Sequence, residues 1–253
     1  MLQIHQFPCL DDNYGFLVHE PGSGATATID TPDAAEILRQ AELKGWRISD
    51  IWNTHWHPDH AGGNAEIKAK TGAQVSGPAE VERIGAAPDR VLSEGDTIRL
   101  GAASARVVDV GGHTLGHIAF VFDALKVAFV GDAIFALGCG RLFEGTPQQM
   151  WTSLQKLAAL PDETTLYCAH EYTQSNARFA LAVDIANPAL QARAAEIAEL
   201  RSQGRPTVPM TLAQEKATNP FLRAPALKQA IGMPDAQDWE AFAEVRRRKD
   251  VFK

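Results

Sequence analysis

Short apolar runs alternate with turn-forming residues over the first two thirds of the chain. The runs are rich in β-branched and aromatic side chains and are too short for helices. Turn sequences, such as PGSG at residues 21–24, separate them. This pattern predicts β-strands at residues 2–7, 14–19, 25–30, 48–54, 105–110, 117–122, 126–130 and 164–169.

Helical periodicity appears at only two places in this region. Residues 32–45 begin with a proline, repeat apolar side chains at close to 3.6-residue spacing and end at Gly45. Residues 147–160 also begin with a proline and place their apolar side chains on one face. Many strands with few helices indicate packed sheets with helices outside, rather than a doubly wound parallel sheet.

The character of the chain changes after about residue 172. Ala, Arg, Glu, Gln and Leu dominate to about residue 204, and Asn187-Pro188 divides that segment into two helices. Further short helices follow, and the last predicted helix covers about residues 238–249. The sequence therefore predicts an α+β domain at residues 1–172 and a C-terminal α-helical domain at residues 173–253.

Composition and charge place the chain among ordinary globular proteins. It has 253 residues, of which 45% are hydrophobic and 22% charged, and this balance argues against disorder. The 24 Lys and Arg residues against 31 Asp and Glu residues give a net charge of −7. That charge argues against nucleic acid and anionic membranes as partners. The apolar runs are also far shorter than the ~20 residues that span a bilayer.

The cysteines and the N-terminal residues indicate the cellular compartment in which the protein is expected. The three cysteines are widely spaced and indicate no disulfide framework. The first residues lack the basic and apolar regions of a signal peptide. We therefore expect a cytoplasmic protein without disulfides. Separately, we expect a monomer.

Three of the eight histidines lie within six residues. The segment THWHPDH at residues 54–60 follows a predicted strand and brings four metal-capable side chains onto one loop: His55, His57, Asp59 and His60. Imidazole and carboxylate together suit zinc, iron or manganese. A solvated polar loop is the plain alternative, but surface loops rarely concentrate three histidines and an aspartate.

Three more potential ligands stand just past apolar strands. His113 follows the strand at 105–110, Asp132 follows the strand at 126–130, and His170 follows the strand at 164–169. Singly, each would more often be a core or turn residue. Together with the histidine-rich loop, they predict a site for two metal ions.

The order of these residues resembles the metallo-β-lactamase superfamily. Five further segments narrow the resemblance to the glyoxalase II, or hydroxyacylglutathione hydrolase, family: DNY at 12–14, GCGR at 138–141, HEYT at 170–173, NPF at 219–221 and RRRKD at 246–250. The resemblance covers about residues 2–252, including a helical tail that most superfamily members lack. It implies an αββα sandwich followed by a helical domain that binds substrate.

The resemblance also assigns a role to each of the seven positions. One ion is expected to be bound by His55, His57 and His113, and the other by Asp59, His60 and His170. Asp132 is expected to bridge the two ions. Asp59 and Asp132 are the expected catalytic carboxylates. His113 is preferred to His117 because it matches the family's ligand position, which leaves His117 as a structural or supporting residue. Zinc is the expected ion, with iron or manganese as alternatives.

The implied reaction is hydrolysis of S-(2-hydroxyacyl)glutathione, typically S-D-lactoylglutathione, to glutathione and D-lactate, the second step of methylglyoxal detoxification. Metal binding lowers the pKa of water from about 15.7 toward 7, so a hydroxide bridging two ions would be available to attack the thioester. The departing thiolate has a parent pKa of about 8.5. No dedicated general acid is then needed, and the chain has no Gly-x-Ser-x-Gly motif.

The resemblance places the glutathione moiety against five residues: Arg141, Phe143, Tyr172, Arg246 and Lys249. Arg and Lys side chains can meet the two carboxylates of glutathione. Phe143 stands where the family often has tyrosine, so the hydroxyl hydrogen bond from that position is in question. The plain alternative for residues 246–249 is a solvated helix end, on which only Arg246 and Lys249 share one side.

Other functions of the same superfamily remain open from the residues alone. A persulfide dioxygenase uses one iron and fewer protein ligands, and a lactonase or β-lactamase would lack the helical tail. A non-enzymatic scaffold would be expected to have broken ligand positions. Asp30 has two open roles, as an acceptor that orients a metal-bound histidine or as a helix cap or turn residue before Pro32.

Overall fold

The computed structural model describes residues 2–85 and 87–252, which form two compact units. The first unit comprises Met1–Asp109 and Gly116–Gly131, and the second comprises Val110–Leu115 and Asp132–Lys253. The first unit therefore contains the four candidate ligands of the histidine-rich loop. The second unit contains the other three: His113, Asp132 and His170.

A six-stranded mixed sheet forms one layer of the first unit. Its strands lie side by side in chain order: β1 (Gln3–Cys9), β2 (Asn13–Glu20), β3 (Ala25–Ile29), β4 (Asp50–Trp52), β5 (Gln74–Gly77) and β6 (Arg90–Val91). The first three strands pair antiparallel, and β3 to β6 pair in parallel. Parallel neighbours require crossover segments, here α1 (Ala34–Lys44) and then α2 (Pro58–Ala61) with α3 (Asn64–Thr71).

The cap of α1 decides one of the open roles of Asp30. The side chain of Asp33 accepts a hydrogen bond from the backbone N–H of Glu36 at 3.1 Å, so Asp33 is the N-cap. Gly45 ends the helix in the left-handed conformation that glycine adopts at low cost. The interpretation of Asp30 as a helix cap is therefore wrong.

A second, antiparallel sheet of the first unit packs against the first sheet. Its strands are β7 (Thr97–Leu100), β8 (Ala103–Asp109), β9 (Ile118–Phe122) and β10 (Val127–Gly131). The ring centroids of Phe16 and Phe129 lie 5.5 Å apart, and those of Trp52 and Phe120 lie 5.3 Å apart. These buried aromatic pairs join the two sheets and form the core of a β-sandwich.

The strand predicted at 48–54 is shorter than expected, and the difference creates the ligand loop. Strand β4 ends at Trp52. The backbone N–H of Thr54 donates to Oδ1 of Asp30 at 2.7 Å instead of to a neighbouring strand. Strands β5 to β7 were not predicted, because they have only two to four residues and little continuous apolar pattern.

The second unit combines short strands with helices. Its strands are β11 (Ile134–Phe135), β12 (Gly138–Cys139), β13 (Thr165–Cys168) and β14 (Met210–Thr211), paired antiparallel as β11 with β12 and β13 with β14. Its helices are α4 (Pro147–Ala158), α5 (Thr173–Val183), α6 (Pro188–Ser202), α7 (Leu212–Thr218), α8 (Ala224–Leu227) and α9 (Asp238–Val251). Asn187 caps α6, which confirms the predicted division at Asn187-Pro188.

All three cysteines are buried free thiols. Burial raises the pKa of Cys9 to about 12 and that of Cys139 to about 11, which keeps both protonated at neutral pH. Among residues 2–85 and 87–252, no helix is both long enough and apolar enough to cross a membrane.

Candidate metal centre and substrate surface

The histidine-rich loop of the first unit brings its ring and carboxylate atoms close together. Nε2 of His55 lies 3.0 Å from Nδ1 of His57, and Nε2 of His60 lies 3.5 Å from Oδ2 of Asp59. His57 is the N-cap of α2, and Pro58 occupies its first position, where a missing N–H has no cost. The turn from β4 into α2 thus gathers all four candidate ligands.

Asp30 fixes the orientation of two of these histidines. Its Oδ2 accepts hydrogen bonds from Nδ1 of His60 and from the hydroxyl of Thr54, both at 2.8 Å. The Thr54 hydroxyl has given its only proton to Asp30, so it accepts from Nδ1 of His55 at 3.0 Å. With both Nδ1 atoms donating, the Nε2 atoms of His55 and His60 carry lone pairs that can bind a metal.

The backbone of Asp30 is unusual for this role. Its φ of 58° lies in the left-handed region, which an aspartate tolerates better than most residues. The residue is 5% exposed, and its side chain accepts three hydrogen bonds, including the one from the Thr54 backbone. Asp30 therefore acts as an orienting acceptor, the first of its two predicted roles.

Asn13 orients the fourth candidate ligand of the loop. Its Nδ2 donates to Oδ2 of Asp59 at 3.1 Å and lies 3.4 Å from the Asp59 carbonyl oxygen. Asn13 is buried at the start of β2, although it belongs to a turn sequence. Asn13 is part of the family resemblance, but nothing in the composition predicts that it is buried.

His117 supports His55 by ring stacking. The two ring centroids lie 4.5 Å apart with planes inclined by 17°, and both side chains are fully buried. Gly131 makes room for this arrangement, because a Cβ there would lie 2.6 Å from Oγ1 of Thr54 and 2.8 Å from the His117 ring. The structure thus places His117 against a candidate ligand, in agreement with a supporting role.

In the second unit, Asp132 faces two histidines with different oxygens. Its Oδ2 lies 3.3 Å from Nε2 of His113, and its Oδ1 lies 3.4 Å from Nε2 of His170. Nδ1 of His113 faces the carbonyl oxygen of Arg141 at 2.8 Å and must therefore donate to it. The Nε2 atom of His113 then carries the lone pair that a metal ligand needs.

The donors in both units fit divalent transition ions. All seven residues belong to groups of His and Asp side chains capable of holding a metal. Asp132, His113, His170, His55 and His60 are all buried. A buried carboxylate beside buried imidazoles requires a positive partner, and a divalent ion satisfies both kinds of donor at once. Nitrogen and oxygen donors without cysteine suit zinc, iron and manganese.

Aromatic side chains of the second unit stand beside two of these histidines. The Tyr172 ring stacks on His170 with centroids 4.7 Å apart, and Phe135 contacts Tyr172 edge-on at 5.2 Å. The Phe143 ring meets His113 edge-on at 5.2 Å. Phe143 is 62% exposed and Tyr172 is 37% exposed, so both offer accessible surface to a ligand.

Arg246 is more deeply embedded than its place in a basic run predicts. It is 5% exposed, its Nη1 donates to the Cys139 carbonyl oxygen at 2.8 Å, and its Nη2 donates to Asp250 at 2.9 Å. Its guanidinium also lies 5.0 Å above the Phe221 ring. Most of its hydrogen-bonding capacity is therefore used within the second unit.

Lys249 belongs to a cluster of positive charges. Its Nζ donates to the carbonyl and hydroxyl oxygens of Ser175 at 3.3 and 3.2 Å. Burial, followed by the positive charges of Arg246, Arg178 and Arg141 in that order, lowers the pKa of Lys249 to about 8. These four residues, Arg141, Arg178, Arg246 and Lys249, are called the cationic cluster below.

The positive charges of the cationic cluster are only partly balanced by acidic side chains. Asp250 is the acid that acts on Lys249, and it is already paired with Arg246. The Arg141 and Arg178 side chains are exposed, and neither forms an ion pair with another described residue. Arg247 and Arg248 instead pair with Glu244. Arg178 is not predictable from the sequence, because nothing in its spacing connects α5 with the end of α9.

Two family models cover nearly the whole chain. The metallo-beta-lactamase superfamily model matches residues 18–170, and the model of the hydroxyacylglutathione hydrolase C-terminus matches residues 171–252. With a curated hydroxyacylglutathione hydrolase 57% identical over its whole length, this chain belongs to that family. The matches confirm the predicted family and the metallo-β-lactamase fold with a C-terminal helical region.

Curated relatives match from end to end. A protein named hydroxyacylglutathione hydrolase from Hyphomonas neptunium is 57% identical over 254 residues, which cover 100% of this chain and 99% of the relative. One of the same name from Erythrobacter litoralis is 58% identical over 254 residues and is covered completely, as is this chain.

Solved structures of lower identity share the fold. ETHE1 from Myxococcus xanthus superposes with a TM-score of 0.70 at 22% identity, over 99% of this chain and 92% of that chain. TTHA1623 in a di-iron-bound form superposes with a TM-score of 0.61 at 24% identity, over 87% of this chain and 100% of that chain. At these identities the likeness concerns the fold alone.

Proposed function

We propose that this protein hydrolyses the thioester of S-(2-hydroxyacyl)glutathione, typically S-D-lactoylglutathione, to glutathione and D-lactate. The observation that carries the proposal is the full-length match to hydroxyacylglutathione hydrolases, tail included. The cationic cluster supports it, because glutathione brings two carboxylates. In the cell the reaction would be the second step of methylglyoxal detoxification, carried out by a cytoplasmic monomer.

The proposed metal centre uses all seven candidate ligands. His55, His57 and His113 would hold one ion, Asp59, His60 and His170 the other, and Asp132 would bridge them. Zinc is the proposed ion, with iron or manganese as alternatives. When bound, two such ions supply a Lewis acid for the thioester carbonyl and lower the pKa of bound water toward 7.

The chain's own residues prepare this centre. Asp30 and Thr54 hold the Nδ1 protons of His60 and His55, and the Arg141 carbonyl holds that of His113. In the neutral imidazoles, these hydrogen bonds leave the lone pair on each ligand nitrogen and fix the orientation of the ring. The glutathione thiolate leaves with a parent pKa of about 8.5, so the reaction needs no side chain to protonate it.

The tail would hold the glutathione portion of the substrate. The tail and its neighbour offer three positive charges that are not ion-paired with other described residues of the protein: Lys249, Arg141 and Arg178. Arg246 already donates to Cys139 and Asp250, so it would contribute mainly through the electrostatic field of its charge. Tyr172 and Phe143 add aromatic surface next to His170 and His113. Phe143 has no hydroxyl, so it can contribute packing but no hydrogen bond. We accordingly propose residues 1–172 as the catalytic domain and 173–253 as the substrate-binding domain.

A persulfide dioxygenase or lactonase is the second candidate within the superfamily. The structural likeness to ETHE1 concerns the fold alone at 22% identity. The tail matches the hydroxyacylglutathione hydrolase model over residues 171–252, and none of the seven ligand positions is replaced. Both observations favour the glutathione thioesterase.

Metal content and activity can be measured together on one preparation. We expect close to two divalent ions per chain by elemental analysis, and loss of S-D-lactoylglutathione absorbance when the enzyme is added. Seven ligand side chains exceed the four that one tetrahedral ion takes. Protein with two ions but no thioesterase activity would refute the proposed function. Full activity with one ion, unchanged by added metal, would refute the dinuclear centre.

Asp30→Asn is expected to weaken metal retention while leaving the fold intact. An amide cannot accept from the Thr54 N–H, the Thr54 hydroxyl and His60 as a carboxylate does. Loss of such an outer partner typically costs about 10- to 100-fold in metal affinity. The measurement is zinc titration against a chelator. Asp33→Asn is the control, because asparagine caps a helix as well as aspartate, and equal affinities for the two variants would contradict the prediction.

A further inference from the structure

A small hairpin at residues 133–140 separates two parts of the proposed metal centre. It begins directly after Asp132 and ends directly before Arg141, whose carbonyl oxygen orients His113. Gly140 brings its end close to both, because a Cβ at Gly140 would collide with the Asp132 carbonyl oxygen and lie 3.0 Å from Nδ1 of His113. A displacement of the hairpin would therefore move Asp132 and the acceptor of His113 together.

Two tail residues hold the hairpin by its backbone. Nδ2 of Asn219 donates to the carbonyl oxygens of Phe135 at 3.2 Å and Gly138 at 2.9 Å. Oε2 of Glu215 accepts from the backbone N–H of Leu137 at 2.9 Å. The same carboxylate oxygen accepts from Asn219 at 2.9 Å, so the two side chains act as one unit.

Two further tail side chains reach the same hairpin. Nδ2 of Asn176 donates to the Ala136 carbonyl oxygen at 3.1 Å, and Nη1 of Arg246 donates to the Cys139 carbonyl oxygen at 2.8 Å. Every residue from 131 to 140 is buried, so backbone groups left without partners would be costly. The paired segments have only two residues each, and the tail supplies hydrogen bonds that so short a ladder cannot provide.

The tip of the hairpin is also fixed by packing. Leu137 adopts a φ of 57°, a costly conformation for a leucine, and is fully buried. Its side chain lies in a core cluster with Ala177, Ala180, Leu190 and Ile197 of α5 and α6. Glu215, which holds the Leu137 N–H, is itself buried and paired with Arg193. The helical tail therefore determines the conformation of the hairpin.

We propose that Asn219 and Glu215 are positioning residues that act through the 133–140 hairpin on Asp132 and on the carbonyl oxygen that orients His113. The helical tail thereby retains the metal ions, in addition to binding substrate. The inference rests on the proposed dinuclear centre. The proposed role of Asn219 and Glu215 differs from simple stabilisation of the fold, because it concerns the orientation of Asp132 and His113. Metal affinity reports that orientation directly.

The test compares Asn219→Ala with Asn187→Ala in the full-length protein. Asn187 is a matched control, since it is a buried tail asparagine that caps α6 and donates to the Ala217 carbonyl oxygen at 2.9 Å. Zinc affinity is measured by competition with a chelator, and thermal unfolding of the metal-free forms reports stability. We expect Asn219→Ala to bind zinc at least about tenfold more weakly than Asn187→Ala, by analogy with other outer partners of metal ligands.

The kinetic readout separates positioning from substrate binding. Asn219→Ala should lower kcat on S-D-lactoylglutathione and on a lactoyl thioester of N-acetylcysteamine alike, with KM for the glutathione substrate nearly unchanged. Zinc affinities that fall equally in the two variants, in step with stability, would overturn the inference. If the wild-type protein binds no zinc, both the proposed metal centre and this inference are refuted. If the wild-type protein binds two ions and Asn219→Ala binds them equally well, only this inference is refuted.

A milder variant keeps the test decisive if Asn219→Ala does not fold. Asn176→Ala removes only the hydrogen bond to the Ala136 carbonyl oxygen. It should weaken zinc binding less than tenfold but measurably, while Asn187→Ala leaves zinc affinity at the wild-type value. Indistinguishable affinities for Asn176→Ala and Asn187→Ala would then refute the inference.

Discussion

Asp132→Ala is expected to remove metal and activity together. The two carboxylate oxygens face Nε2 of His113 and Nε2 of His170, at 3.3 and 3.4 Å, so one side chain serves both proposed ions. Loss of a direct ligand should exceed the roughly 100-fold loss of affinity that follows removal of an outer partner. Elemental analysis after dialysis should show less than one ion per chain, with turnover of S-D-lactoylglutathione reduced by more than about 100-fold.

The matched control is Glu171→Gln. Glu171 is next to His170 in the sequence, but its carboxylate is not a proposed metal ligand. Oε1 and Oε2 of Glu171 accept from the hydroxyl and the backbone N–H of Thr207, at 2.7 and 2.8 Å. Glutamine keeps one acceptor oxygen, so this variant should retain its full metal content. If Asp132→Ala kept both ions and normal turnover, the bridging assignment would be wrong.

Much of the proposed site was predictable because its ligands follow strands. An apolar strand that ends in closely spaced His and Asp residues is a local pattern, and periodicity locates the strand. In the structure the other three ligands also follow strands. His113 follows β8, Asp132 follows β10 and His170 follows β13, each within one to four residues of the strand's end. The order of these residues and the helical tail were enough to suggest the family.

The orienting residues were harder to predict because their partners are distant in sequence. Asp30 reaches His60 from 30 positions away, and Asn13 reaches Asp59 from 46 positions away. Asn13 begins β2 and Asp30 follows the end of β3, next to turn sequences in which Asp and Asn are common for purely local reasons. Only the three-dimensional arrangement distinguishes an orienting acceptor from a turn residue or a cap.

The basic run of α9 shows a similar limit. Its helical spacing separates Arg246 and Lys249 from Arg247 and Arg248, and the structure pairs the latter two with Glu244. Spacing could not show that Arg246 is buried against Phe221 and the Cys139 carbonyl oxygen. Nor could it show that Arg178 acts electrostatically on Lys249. These relations depend on how α5, α9 and the 133–140 hairpin pack within the second unit.

The double variant Arg178→Ala with Lys249→Ala should raise KM for S-D-lactoylglutathione strongly while leaving metal content unchanged. A charge-assisted contact to a glutathione carboxylate contributes about 1.5–3 kcal/mol, which corresponds to roughly 10- to 150-fold in binding. The contact is made to a remote part of the substrate in the ground state, so kcat should change little. Arg246 is left in place because its hydrogen bonds to Cys139 and Asp250 support the second unit.

Two comparisons decide whether these charges bind substrate. The lactoyl thioester of N-acetylcysteamine has no glutathione carboxylates, so its KM should be the same for wild type and variant. Arg247→Ala removes an exposed charge paired with Glu244 on the same helix, and it should leave both substrates unaffected. An equal loss on the two substrates would mean that Arg178 and Lys249 support structure. No loss on either would mean that they form only a solvated surface.

The pH dependence gives an independent readout of Lys249. Its pKa of about 8 in the free protein means that it is mostly charged at pH 7 and becomes neutral as the pH rises through 8. A bound carboxylate stabilises the charged form, so binding weakens as the pH rises through that value. KM for S-D-lactoylglutathione should therefore increase above about pH 8. Lys249→Arg should flatten this increase, because a guanidinium stays charged to pH ~12, and a KM that rises equally in both proteins would exclude Lys249 as the titrating contact.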